Sequence, residues 1–294
     1  MKSSWHSGLR CCRVACAGML AAALWALAGG ASAQIAITKH NLGTNSTQTN
    51  HVTTGTAEIC VFCHTPHGAD VTTANAPPLW NKRLATGATY TTYATLNTPS
   101  LDGEILPVGS ISVACLSCHD GTQAMDNIIN APGSGGFDAT GGGTNGLGYV
   151  WTGNVTAEGL MNATTIANLG TNLSNDHPIG IQYCGGGLTG TAVTVTGTCR
   201  DTDFNRAGVR TANINTNQVF WVETGTSDNL KTRTDLPLYT RAFASATGPS
   251  VECGTCHDPH VSDGQAGPNG QTAGATFLRI SNASSAVCTA CHVK

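Results

Sequence analysis

Hydrophobic positions in this 294-residue chain follow two unlike patterns. From Ala17 to Ala28 they form one apolar run, preceded by Lys2, Arg10 and Arg13 and followed by Ala31-Ser32-Ala33. A basic start, an apolar stretch of about a dozen residues and a small-residue cleavage site predict a secretory signal peptide over 1–33. The run is too short to span a bilayer; a retained N-terminal anchor is the alternative. Beyond Gln34 the apolar residues are scattered among Gly, Thr, Asn and Ser, and no long 3.6-residue periodicity emerges. Alternation over Thr191-Ala-Val-Thr-Val-Thr196 predicts a short strand, and Gln218-Val-Phe-Trp-Val222 a second, neither long enough to define a domain. Pro132 to Gly148 reads as a turn-filled loop.

Hydrophobic residues make up 40% of the chain and charged ones only 11%. Removing 1–33 removes three positive charges, so the mature formal charge is 11 − 17 = −6. No basic patch argues for nucleic acid. No later stretch approaches the length of a membrane span.

Cysteine spacing changes the picture. Cys60-Val-Phe-Cys63-His64, Cys115-Leu-Ser-Cys118-His119, Cys253-Gly-Thr-Cys256-His257 and Cys288-Thr-Ala-Cys291-His292 are four copies of one motif, the attachment site of c-type haem. Two thiols three positions apart add to the two vinyl groups of a porphyrin, and the next residue brings an imidazole under the iron. Zinc sites and thioredoxin-like dithiols also use Cys-x-x-Cys, but neither needs a His after every second Cys. Chance would supply roughly 0.02 copies at these residue frequencies.

Four covalently bound haems, with proximal ligands His64, His119, His257 and His292, imply a fold class. We expect a mostly irregular, loop-rich multihaem cytochrome c with short helices and a few short strands, in which the haems form the core. The apoprotein is then expected not to fold. Residues 34–294 form a single tetrahaem domain: an N-terminal haem pair over 34–130, a Gly/Thr-rich middle over 131–250 and a C-terminal pair over 251–294. Cys11, Cys12 and Cys16 leave with the signal. Cys184 and Cys199 remain, and an exported protein is expected to join them in a disulfide, two free thiols being the alternative.

Each iron has a second axial position. The mature chain offers His40, His51, His67, His177 and His260 for four distal sites, with Met125 and Met161 as thioether substitutes. His67 and His260 each follow a proximal His by three residues and cannot readily reach the opposite face of the same ring, so they are expected on neighbouring haems. Asp176 is expected to orient His177 as an acceptor. His40 and His51 compete for what remains.

Flanking words carry a resemblance over nearly the whole mature chain. Thr38-Lys-His-Asn-Leu42, Glu58-Ile-Cys-Val-Phe-Cys-His-Thr-Pro-His67, Pro78-Leu-Trp-Asn81, Cys115-Leu-Ser-Cys-His-Asp-Gly121, Asn175-Asp-His-Pro178, Val251-Glu-Cys-Gly-Thr-Cys-His-Asp-Pro-His260 and Phe277-Leu-Arg279 resemble the doubled-CxxCH multihaem cytochromes, in particular the OmcE-like tetrahaem extracellular nanowire cytochromes. That resemblance implies bis-His haems in a continuous chain and distal ligands His40, His67, His177 and His260. It also implies a homopolymer in which one distal His, His40 or His67, passes to the adjacent subunit. The expected function is secreted, extracellular electron transfer between upstream cytochromes and an extracellular acceptor, without catalysis. A discrete periplasmic shuttle and a reductase of a small oxyanion are the alternatives; the reductase needs an open axial site.

Overall fold

The computed structural model describes residues 34–72, 77–83, 90–133, 136–138, 146–225, 228–267 and 271–293. The chain separates into two units, Met1–Ala33 and Gln34–Lys294. The candidate signal peptide lies outside the described residues. Among them, no helix is long and apolar enough to cross a membrane.

Regular structure in the second unit is mostly β-sheet. A five-stranded antiparallel sheet has the order β3-β9-β8-β7-β6, with β3 Ile181–Gln182, β6 Val209–Ile214, β7 Asn217–Val222, β8 Leu236–Ala242 and β9 Thr247–Val251. Two small sheets accompany it: β1 (His51–Val52) with β2 (Trp151–Thr152), and the hairpin β4 (Leu188–Thr191) with β5 (Thr194–Gly197). Strands β6 and β7 pair from Val209↔Val222 to Ile214↔Asn217. Their two-residue loop, Asn215-Thr216, has φ of 48° and 67°, the left-handed pair that matches strand twist in a tight hairpin. Phe220, Trp221 and Val222 are buried in succession, so both faces of β7 are covered.

Side chains fill the interior. Tyr183, Leu188, Val209, Phe220, Val222, Leu236, Leu238, Val251 and Ile280 form one cluster with the half-cystine Cys184. Leu42, Val52, Val61, Phe62, Met125 and Ile128 form a second, and Tyr90, Val108, Val113, Leu116 and Leu173 a third. The expectation of a mostly irregular, loop-rich chain with haems for a core is therefore corrected. Apolar residues that looked scattered in sequence converge because short strands bring distant segments together. The Gly/Thr-rich middle segment supplies most of the sheet. The single strand expected over 191–196 is instead a hairpin turning at Ala192-Val193.

Three short α-helices carry chemistry: α1 Ser110–His119, α2 Cys253–Cys256 and α3 Ala286–Cys291. A disulfide joins Cys184 to Cys199 across a Cα separation of 5.2 Å, tying the end of the β4–β5 hairpin to the turn at 183–185.

Candidate functional site

Every Cys-x-x-Cys-His motif lies on a helical turn: the first on a 3₁₀ turn at Cys60–Phe62, the second at the end of α1, the third on α2 and the fourth at the end of α3. Helical spacing brings positions three apart to one face, so both thiols of a motif share a side. The turn of α2 is fixed by Glu252, whose side chain accepts from the Thr255 amide while its own N–H donates to Thr255 Oγ1 at 3.0 Å. Ser112 on α1 donates to Glu252 Oε2 at 2.6 Å and accepts from the Cys253 amide at 3.0 Å. This bolts the second motif to the third, and Cys115 and Cys253 are neighbours. Cys63 and Cys118 pack together on the second cluster. Cys256 neighbours both Cys288 and Cys291. The motifs thus follow one another in space in the order 1-2-3-4.

The eight motif cysteines are unbridged. Burial pushes the Cys63 thiol up to about 12, Cys256 to about 11 and Cys291 to about 12. A dithiol oxidoreductase needs a depressed thiol, so these three are poor candidates for that chemistry. Among the described residues, no group of three or more His, Cys, Asp or Glu converges as a metal site. A haem asks less of the protein, because its ring supplies the equatorial nitrogens and only two axial ligands remain.

Two imidazole pairs have a spacing compatible with that demand. Two rings holding one metal through Nε2 at about 2 Å place their centroids roughly 6 Å apart. His64 and His260 stand at 6.2 Å, and His119 and His40 at 6.1 Å. Nδ1 of His64 donates to the Pro78 carbonyl at 2.9 Å, His119 to Ala167 at 2.8 Å and His257 to Thr276 at 2.9 Å, which leaves Nε2 of each for a metal. Burial, with His119 next, lowers His40 to about 4. Burial also lowers His64 and His257. Neutral imidazole is the form that ligates.

No protein-family model, no curated protein and no solved structure matches the chain.

The other site residues divide as follows. Burial, and after it the nearness of His177, lowers His292, so these two are neighbours. His292 also packs on Phe204 at 4.4 Å. His257 lies near His119 and His40, which are paired with each other. His67 is exposed. His51, in β1, donates from Nδ1 to the Gln48 carbonyl at 2.7 Å. Met125 and Met161 pack in the second cluster. Asp176 does not orient His177: the Pro178 carbonyl takes Nδ1 at 3.0 Å, and Asp176 Oδ2 is buried without a protein partner.

Several residues escaped sequence reasoning as site residues. Phe277 stacks on His40 at 4.2 Å, and Trp80 meets His64 edge-on at 5.6 Å. The carbonyls of Pro78, Ala167 and Thr276 leave no side-chain signature. Asp258 and Arg279 were visible only as flanking letters.

Proposed function

We propose that this chain transfers electrons through four covalently attached c-type haems, one per motif, held by the thioether cysteines Cys60/Cys63, Cys115/Cys118, Cys253/Cys256 and Cys288/Cys291. Bound there, haem iron supplies reversible one-electron exchange. His64 with His260 and His119 with His40 would hold two of the irons, and His177 is the candidate partner of His292 on a third. The observation that carries this reading is the two imidazole pairs, 6.2 Å and 6.1 Å apart, on motifs that run consecutively through the fold. Two imidazoles on an iron would leave no place there for a substrate, which favours conduction over catalysis at the paired sites.

His257 is the fourth proximal ligand, and its distal partner is sought outside the chain. With His40 beside His119 in the same chain, the exposed His67 of an adjacent copy is the candidate, which makes the assembly a secreted polymer passing electrons to an extracellular acceptor. An open His257 iron supports the reductase as second reading.

Production in a host that exports and matures c-type cytochromes tests both. Four haems per chain by pyridine haemochrome assay, all low-spin, are expected; fewer than four sinks the tetrahaem reading. His67→Ala is expected to abolish filaments while keeping four haems. Carbon monoxide binding to the reduced parent would move the weight to the reductase.

A further inference from the structure

Among the predicted haem-ligand histidines, the backbone orients most. His64, His119, His257 and His177 donate from Nδ1 to main-chain carbonyls, and the backbone of Pro259 lies beside His40. His260 differs. Its Nδ1 lies 3.1 Å from Asp258 Oδ1, and its amide donates to the same oxygen at 3.0 Å. The other oxygen, Oδ2, accepts from Arg279 Nη1 at 3.2 Å. Arg279 is itself fixed by the carbonyls of Gly254, at 2.9 Å from Nε, and Arg233, at 3.0 Å from Nη1. Asp258 is 16% exposed and Arg279 12%, so the carboxylate is held largely out of water with one oxygen committed to each partner.

A carboxylate partner makes an imidazole a stronger electron donor than a carbonyl partner does, besides fixing its tautomer and orientation. Resting on the function proposed above, we infer that Asp258, braced by Arg279, is a positioning residue that sets the potential of one haem: the first, whose distal ligand is His260. A stronger donor stabilises the ferric state. Asp258 therefore holds this haem at a lower potential than a carbonyl-oriented ligand would, giving the wire an electronically distinct site at its first motif.

Spectroelectrochemical titration of the tetrahaem protein tests this with Asp258→Asn, which keeps the shape and removes the charge. One of four midpoints is expected to rise, with all four haems attached and low-spin. In a His260→Met background, which breaks the link, Asp258→Asn is expected to leave the midpoints where His260→Met alone puts them. Four unmoved midpoints in the single variant overturn the inference, as does an equal rise in both backgrounds. Should Asp258→Asn not accumulate with four haems, Asp258→Glu, which retains the charge, is read instead. A midpoint near the parent's then supports the assignment, and a rise overturns it. A parent protein that lacks four haems defeats the proposed function itself, a result distinct from any of these.

Discussion

Lys82 is fully buried, and its ammonium donates to the carbonyls of Ala124 at 2.8 Å, Met125 at 3.3 Å and Asn127 at 3.0 Å. Asn81, equally buried, receives the Asn130 amide at 2.9 Å and donates to the Val61 carbonyl at 2.7 Å, while its own N–H reaches Cys63 O at 2.8 Å. Two adjacent side chains thus stitch the first motif to the loop that follows the second. Lysine is rarely buried in full, so nothing in the sequence marked Lys82. A buried carbonyl left without its donor costs about 1–3 kcal/mol. Lys82→Met, similar in length but unable to donate, is expected to lower stability by about 2 kcal/mol or more, read from the urea midpoint. A midpoint unchanged from the parent's would refute the role assigned to this ammonium.

At the scale of elements, the disulfide and the hairpin it anchors make the clearest case. Closing a loop of 15 residues stabilises a fold by about 3 kcal/mol in the chain-entropy model. Replacing both Cys184 and Cys199 with Ala is expected to cost a comparable amount in denaturant unfolding, with the eight motif cysteines still attached to haem. Export chemistry and the count of spare thiols made this bond legible in the sequence. The motif spacing was legible because the covalent attachment proposed for it would demand local order. The sheet was not. Polar and apolar residues interchange on both sides of the turn between β4 and β5, and the one break in alternation, Ala192-Val193, carries no Gly, Pro or Asn to mark a hairpin. Pro237 in β8 and Pro249 in β9 disguise strands, because proline usually signals an edge or a break. The imidazole partners were beyond pattern altogether, since His64 and His260 lie far apart in sequence and meet only through the fold.

For the whole molecule, a side-chain interior alters what haem loss should do. A variant with all eight motif cysteines changed to Ala is expected to keep a β-rich circular dichroism spectrum and slow amide exchange across β6 to β9, because the first cluster draws on Tyr183, Phe220, Leu236 and their neighbours. Complete loss of protection there would show that the sheet depends on the cofactors after all. The four residues His257 to His260 have a wider reach. They supply His257 to its own motif, His260 opposite His64, and the Pro259 backbone beside His40. A chain threaded across a membrane from its N-terminus delivers Cys60 and Cys115 long before that turn. On the proposed pairing, the first iron would lack its second axial ligand, His260, until that residue has crossed, while His40 would already be present for the second, so premature termination upstream of residue 260 would leave the first haem with one axial ligand rather than give a shorter working conductor.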